Sequence, residues 1–558
     1  MSGPLKRYLT KSHPLLLSGA LLLSAALAGG PPSALPSSAP GEGTAREAAV
    51  GEAALGETAA GVAAAAPAPA AGDGPTVTTR YGHLRGKAGE TAHAYLGIPY
   101  AAPPVGPLRW KPPSPPARWS GVRDATTPGN PCVQQPSSTP WGNLAGPGTP
   151  SEDCLYLNVH TPAQPSPRQR PVMVWIHGGG FTVGSGSFYD GGTLAAKGDV
   201  ITVHLNYRLG AFGYLAHPGL AAESPRGLSG NYGLLDQQAA LRWVRDNIAA
   251  FGGDPGNVTV FGESAGGGSV CQHLVSPAAT GLFDRAIAQS GCGFPLPTQE
   301  SQQNDGKAWA DTLGCADVAC LRAEPAAELL AASARPTARW VPNVDGVILP
   351  SQVTNALESG RLHRVPVLQG TTADEGRLTV ATTYDLAGRT LTPEGYPAAV
   401  RALYGDRTDT ILARYPLSEH GSPAEALGAV LTDSRFACPQ SRTAGLMAEH
   451  TRSYQYEFAD RHSMDHLNLP VGFPLGAPHG SEIRYVFGGV TGTPAQTALS
   501  EKMLGYWTNF ARTGVPYAAN APRWPRYPEV QTLAPEGITP VDTFPRAHHC
   551  DLWNAPAS

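Results

Sequence analysis

Short apolar runs alternate with amphipathic stretches through the middle of this chain. The runs lie at 171–177 (PVMVWIH), 199–207 (DVITVHLNY), 258–263 (VTVFGE), 285–290 (RAIAQS) and 365–370 (VPVLQG). Strands of a parallel sheet are buried on both faces and are joined by helices, so this alternation is typical of that arrangement. The pattern predicts an α/β fold with a large, mostly parallel central sheet.

Two amphipathic stretches predict helices that pack on this sheet. Residues 234–253 carry apolar side chains at helical spacing before a glycine pair, at Leu241, Val244, Ile248 and Phe251. Residues 500–514 have a similar apolar face that ends at Gly514, formed by Met503, Leu504, Trp507, Phe510 and Ala511. We assign both faces to the hydrophobic core.

The first 28 residues have the layout of a secretion signal. Three cations precede the apolar run PLLLSGALLLSAALA, which ends at the small-x-small site Ala26-Leu27-Ala28. A bilayer-spanning helix needs about 20 apolar residues, and this run is shorter. We therefore expect cleavage near Ala28, export to the extracellular space and no stable membrane insertion.

The segment that follows differs in composition from the rest of the chain. Residues 29–74 are mainly Ala, Gly, Pro and Ser, with almost no large apolar side chain that could offset the entropy of ordering the chain. We predict a disordered spacer there. Since no second linker of this kind follows, residues 75–556 are expected to form a single catalytic domain.

Composition narrows the class of protein further. The 558 residues are 41% hydrophobic and 15% charged, which is typical of a globular protein. The formal net charge is −4, so the chain has no basic footprint for a nucleic acid partner.

The serine at position 264 has an unusual setting. The sequence Gly262-Glu263-Ser264-Ala265-Gly266 follows the predicted strand 258–263 and precedes a run of small residues. Strand, G-x-S-x-G and helix together form the nucleophile elbow of α/β-hydrolases, in which a strained turn projects the serine hydroxyl above the sheet. Ser264 is thus the candidate nucleophile.

A second glycine motif supplies candidate oxyanion donors. HGGGF, residues 177–181, follows the predicted strand 171–177, where such a donor loop belongs. The backbone N–H groups of Gly179, Gly180 and Ala265 are expected to face the negative charge that develops during acyl transfer.

The residues leave the other two members of a catalytic triad open. An acid should follow a later strand, and Asp374 and Glu375 both follow 365–370, so spacing does not choose between them. The base must come later still, and the histidines in that part of the chain are His420, His450, His462, His466, His479, His548 and His549. His479 is favoured because it lies in a glycine- and proline-rich loop, GAPHGSE.

Many motifs, in order, give the chain a family likeness over about residues 75–556. They include YLGIPYAAPPVGPLRW, SEDCLYLNV, VMVWIHGGGF, NYRLGAFGYL, VTVFGESAGG, DEG and HGSEIRYVFG. With these motifs the chain resembles type B carboxylesterases, the group that includes para-nitrobenzyl esterases, fungal lipases and cholinesterases.

The resemblance implies roles that spacing leaves open. The family's acid is the glutamate of the DEG motif, here Glu375, and its base is the histidine of the HG-x-E motif, here His479. Glu263 and Ser290 match buried positions that support the triad histidine.

Eight cysteines in an exported chain indicate disulfides. The resemblance implies three pairs: Cys132 with Cys154, Cys315 with Cys320, and Cys438 with Cys550. It gives no role to Cys271 and Cys292, which could be buried thiols or could pair with each other. No Cys/His spacing is typical of zinc, so no metal is expected.

The expected function is hydrolysis of small-molecule carboxylic esters by a secreted monomer without a cofactor. Alternatives of the same fold are a long-chain lipase or sterol esterase, and a different class is a non-catalytic cholinesterase-like binding protein. The triad residues argue against the binding protein, and the mostly polar Cys132–Cys154 segment disfavours a lipase lid. Trp141 could suggest a cholinesterase-like cation site, but Leu378 stands where cholinesterases have an aromatic residue, and we assign Trp141 to packing.

Overall fold

The computed structural model describes residues 74–136, 142–334 and 338–554. The predicted signal, the spacer up to residue 73 and Trp141 lie outside the described residues. Strands within them are β1 Thr76–Thr79, β2 Gly82–Arg85, β3 Ala92–Pro99, β4 Val122–Asp124, β5 Tyr156–Pro162, β6 Arg170–Ile176, β7 Ile201–Leu205, β8 Gly253–Glu263, β9 Arg285–Gln289, β10 Val367–Thr372, β11 Ser453–Phe458, β12 Val530–Ala534 and β13 Gly537–Val541.

Helices connect and cover these strands. They are α1 Gly192–Gly198, α2 Gly210–Tyr214, α3 Pro218–Ala222, α4 Tyr232–Asn247, α5 Ala265–Val275, α6 Gln299–Thr312, α7 Val318–Ala323, α8 Ala326–Ser333, α9 Val353–Glu358, α10 Glu375–Thr383, α11 Gly395–Tyr404, α12 Thr408–Arg414, α13 Pro423–Thr432, α14 Cys438–Ala448, α15 Ile483–Val486, α16 Pro494–Thr513, α17 Phe544–Ala547 and α18 Cys550–Trp553. Among the described helices, none is long and apolar enough to span a bilayer.

A ten-stranded sheet organises the described part of the chain, in the order β13-β12-β11-β10-β9-β8-β6-β7-β5-β3. The pairs from β12 through β7 are parallel, and antiparallel pairs lie only toward the two edges. This confirms the predicted α/β fold. The five predicted apolar runs correspond to β6, β7, β8, β9 and β10, although β8 starts earlier than its run.

The core lies on both faces of the sheet because successive side chains of a strand point to opposite faces. In β6, Val172 and Val174 pack into the larger core cluster, whereas Met173 and Trp175 pack into the cluster on the other face. The second cluster also contains the apolar face of α16.

The two predicted helices are α4 with the short 3₁₀ segment after it, and α16. All their predicted core side chains are buried. Helix α16 begins at Pro494, six residues before the amphipathic stretch, because Thr493 and Gln496 form a capping box at its start.

Disulfides join the three predicted pairs, Cys132–Cys154, Cys315–Cys320 and Cys438–Cys550. A fourth joins Cys271 in α5 to Cys292, just after β9. The last pair, which the sequence leaves open, ties the helix after Ser264 to the loop beside it.

Candidate active site

Four neighbouring parallel strands end at the same edge of the sheet. In spatial order these are β10, β9, β8 and β6, and each is followed by one of the candidate residues or loops. Ligands of open α/β sheets bind outside the carboxyl ends of the strands, so this edge is where a site is expected.

Ser264 occupies the single residue between β8 and α5. Its φ of 57° and ψ of −121° are strained for a residue with a side chain, and such strain is a common feature of functional turns. The serine is buried, with 5% of its surface exposed.

The glycines of the elbow are required by close backbone packing. A Cβ atom on Gly262 would stand 2.7 Å from the carbonyl carbon of Gly266, and one on Gly266 would stand 2.9 Å from the carbonyl oxygen of His177. The strand, the turn and the helix therefore pass too close for side chains at these positions.

The HGGGF loop lies directly against the elbow. A Cβ on Gly178 would be 3.1 Å from Cβ of Ser264. Gly179 and Gly180 have φ of 102° and 62°, and the turn they form is closed by the N–H groups of Thr182 and Val183, which donate to the Gly179 carbonyl.

Three backbone donors at this place have no acceptor among the described residues. Gly179 and Gly180 lie outside helices and strands, and their N–H groups make no backbone hydrogen bond there. Ala265 is the first residue of α5, so its N–H has no acceptor within the helix. These are the donors that the sequence analysis assigned to an oxyanion hole.

Glu375 begins helix α10 and is fully buried. Its Oε1 accepts a hydrogen bond of 2.9 Å from the backbone N–H of Thr372. A carboxylate in the first helical turn also interacts favourably with the helix dipole. Both contacts hold Glu375 at the end of β10 with Oε2 free for another partner.

That partner is His479, whose Nδ1 lies 2.5 Å from Oε2 of Glu375. On the other side of the ring, Nε2 lies 3.1 Å from Oε1 of Glu263. Within the described residues Nε2 makes no hydrogen bond, so the structure does not join it to the hydroxyl of Ser264. The imidazole thus stands between the two glutamates.

Both groups of the His479–Glu263 pair have raised pKa values. Burial alone would lower the pKa of His479, but the charges of Glu263 and Glu375 outweigh it and raise the pKa to about 10. Burial raises the pKa of Glu263 to about 8, although the charge of His479 opposes this. The negative charge of Glu263 thus favours the charged form of His479.

Glu482 is a third buried carboxyl group here, and the sequence analysis gave it no role. Its Oε1 accepts hydrogen bonds from Gln289 (3.0 Å) and from Tyr456 (3.4 Å). Burial and the charge of Glu375 raise its pKa to about 7. The sequence did carry a signal for this residue, because Glu482 is the fourth residue of the HGSE motif that begins with His479.

Ser290 and one aromatic pair complete the surroundings. Ser290 follows β9 and is fully buried, but its hydroxyl has no hydrogen-bond partner among the described residues, so no hydrogen bond links it to His479. The ring of Phe436 lies 4.9 Å from the ring of His479, and Phe294 lies 5.5 Å from Phe436. Phe436 belongs to a π-helical turn, Asp433–Ala437, that sequence reasoning missed.

Chemically, the edge of the sheet brings together a strained serine, an imidazole paired with a carboxylate, and unpaired backbone donors. Such a set is suited to acyl transfer. Within the described residues, the metal-ligand types that cluster are Cys315, Cys320 and Glu324, and both of those sulfurs are used in a disulfide.

Comparisons with known proteins identify a family and several esterases among its relatives. Residues 73–553 match the model of the carboxylesterase family. A fumonisin B1 esterase of Sphingopyxis macrogoltabida is 38% identical over 80% of this chain and 84% of its own length. A para-nitrobenzyl esterase of Bacillus subtilis is 39% identical (81% and 92%), and a human cocaine esterase is 36% identical (84% and 88%).

Proposed function

The chain belongs to the carboxylesterase family, and from this premise we propose that it cleaves carboxylic esters through an acyl-enzyme on Ser264. Carboxylic ester hydrolysis itself follows from the family. The observation that carries the finer proposal is the 2.5 Å contact between His479 and Glu375 beside the strained elbow of Ser264.

In the first half of the reaction, Nε2 of His479 takes the hydroxyl proton of Ser264 while Oγ attacks the ester carbonyl carbon. Gly179, Gly180 and Ala265 donate hydrogen bonds to the oxyanion that forms. The tetrahedral intermediate then breaks its bond to the alcohol oxygen, which takes the proton from His479 and leaves. The acyl group remains on Ser264.

In the second half, water replaces the alcohol. His479 takes a proton from the water, the resulting hydroxide attacks the acyl carbon, and Ser264 recovers the proton from His479 as the acid leaves. Glu375 keeps the imidazole oriented and stabilises its charged form throughout. No step of this reaction needs an electron acceptor or a cofactor.

Glu263 stabilises the charged form of His479. Its Oε1 lies 3.1 Å from Nε2, and its negative charge contributes to the raised pKa of the imidazole. When Nε2 takes the proton of Ser264, the imidazolium therefore has a carboxylate on each side, Glu263 and Glu375.

The substrate is an ester with small to medium, fairly apolar groups. Phe436 and Phe294 form an aromatic wall beside His479, and such a wall favours apolar acyl or alcohol groups. Relatives are named as esterases of fumonisin B1, of para-nitrobenzyl esters and of cocaine, so the substrate differs among similar proteins.

We also propose that the protein is secreted after cleavage of the signal near Ala28, and that residues 75–556 are its catalytic domain. The described cysteines are all in disulfides, which persist in oxidising compartments. N-terminal sequencing of the protein from the culture medium tests this, and the expected first residue lies close to Gly29.

The test of the mechanism compares the parent protein with Ser264→Ala and Ser269→Ala. Ser269 is the matched control, because it is a buried serine of helix α5 whose hydroxyl donates to the carbonyl of Ala265 and accepts from Gln237. Rates are measured on p-nitrophenyl acetate, butyrate and palmitate. We expect fastest turnover of the short esters, background rates for Ser264→Ala and near-parent rates for Ser269→Ala.

Other outcomes would overturn parts of the proposal. Parent-like rates for Ser264→Ala would contradict an acyl-enzyme on Ser264. A preference for palmitate would favour the lipase alternative, and no turnover of any ester by the folded parent would leave the binding-protein alternative.

A further inference from the structure

Asp374 lies at the N-cap of helix α10, but its side chain does not cap the helix. It is the N-cap residue of α10, where an aspartate side chain normally accepts a hydrogen bond from the second or third helical N–H. Here its side chain makes no capping bond, although it is buried with 7% of its surface exposed. The carboxylate instead interacts with other parts of the chain.

The carboxylate holds the loop that carries His479. Its Oδ2 accepts a hydrogen bond of 3.0 Å from the N–H of Ala477, and its own N–H donates to the Ala477 carbonyl at 2.9 Å. These two hydrogen bonds fix the loop backbone two residues before His479. Ala477 is itself fully buried.

The loop backbone fits closely around this carboxylate. Gly476 has φ of 68°, and a Cβ there would stand 2.7 Å from Cγ of Asp374. A side chain at 476 would therefore both strain the backbone and displace the carboxylate.

Two arginines pair with the other carboxylate oxygen of Asp374. Arg377 Nε lies 3.1 Å from Oδ1, and Arg461 lies 3.6 Å from the same oxygen. Arg377 also donates to the carbonyl of Pro474 at 2.7 Å, at the start of the same loop. The loop is thus held at Pro474 by Arg377 of α10 and at Ala477 by Asp374, the residue before that helix.

We propose that Asp374 is a positioning residue that fixes His479 against Glu375 and Ser264. The two adjacent carboxylates have separate tasks: Glu375 contacts the imidazole, and Asp374 holds the backbone that presents it. This inference rests on the proposed role of His479 as the base. A displacement of about 1 Å at such a group can reduce the rate about 100-fold.

The test compares Asp374→Ala with Asp374→Asn. Asparagine keeps an oxygen that can accept from Ala477 but loses the ion pairs, whereas alanine removes both. We expect kcat on p-nitrophenyl butyrate to fall by about 10- to 100-fold for Asp374→Ala, with KM within about twofold. Asp374→Asn should recover most of kcat.

Active-site titration with a chromogenic phosphonate separates positioning from unfolding. A positioning defect slows the labelling of Ser264 but leaves the full number of reactive sites, whereas partial unfolding lowers the number. Asp317→Ala is the matched control, since Asp317 caps α7 through the N–H of Cys320 and its loss should leave kcat unchanged.

The outcomes distinguish this inference from the proposed mechanism. If His479→Gln is inactive but folded Asp374→Ala keeps kcat within twofold of the parent, the positioning role is wrong and the mechanism stands. If His479→Gln keeps its activity, the proposed base is wrong. Should Asp374→Ala not fold, Gly476→Ala takes its place, and an unchanged kcat there overturns the inference.

Discussion

Nδ1 of His479 lies 2.5 Å from Oε2 of Glu375, although 104 residues separate the two along the chain. One residue begins the helix after β10, and the other lies in a loop that the neighbouring Asp374 holds in place. The contact therefore depends on the packing of the whole carboxyl edge of the sheet.

Replacing Glu375 by Gln should nearly abolish turnover. The amide is close in size but cannot stabilise the imidazolium, and it can hold the ring in the wrong tautomer. We expect kcat on p-nitrophenyl butyrate to fall on the order of 10³-fold, measured beside Asp374→Asn as the adjacent control. A kcat within tenfold of the parent would exclude Glu375 as the orienting acid.

Replacing Glu263 by Gln should shift the pH profile of kcat/KM. The charge of Glu263 contributes to the raised pKa of His479, so its removal lowers that pKa. The base then stays unprotonated to lower pH, and the acid limb of the profile moves to lower pH. An acid limb that stays in place would show that Glu263 does not interact with the base.

A second buried histidine, His548, should make stability depend on pH in the alkaline range. Its Nδ1 lies 2.6 Å from Asp433 and its Nε2 lies 2.8 Å from Glu457. Burial would lower the pKa of His548, but these two carboxylates raise it to about 10. An unfolded histidine titrates near 6.5, so the stabilisation is complete below about pH 6.5 and is lost as the pH rises through 10.

Urea unfolding of the parent and His548→Gln at pH 6, 8 and 10 measures this effect. At pH 6 we expect the variant to be less stable by about 3 kcal/mol, since it leaves the buried carboxylate of Asp433 without its cation. The difference should shrink toward pH 10. A difference that is the same at all three values would contradict the assignment.

The disulfides should contribute unequally to stability. Cys438 and Cys550 are 112 residues apart, whereas Cys315 and Cys320 are five apart. From the chain entropy of the unfolded state, loss of the first bond should lower the free energy of unfolding by about 4 to 5 kcal/mol, and loss of the second by about 2 kcal/mol. Urea unfolding of the two double-alanine variants tests this, and equal losses would rule out the entropic account.

Much of the fold could be predicted from local pattern. Apolar runs marked β6 to β10, and helical spacing marked α4 and the body of α16, because burial on two faces or one stripe leaves a periodic trace in the sequence. The start of α16 was missed even though Thr493 and Gln496 carry a capping-box signal. The elbow at Ser264 was also readable, since its φ of 57° and close packing require glycines at fixed offsets.

Contacts between distant residues were decided only by the tertiary structure. Asp374 and Glu375 are adjacent carboxylates that spacing could not tell apart, and the fold turns one toward the loop backbone and the other toward the imidazole. The pairing of Cys271 with Cys292 and the burial of Glu482 against Gln289 and Tyr456 have the same origin. Sequence alone determined which residue types stand at the ends of the strands, because periodicity and turn chemistry are local; which atoms meet there depends on how the strands pack side by side, which no local pattern encodes.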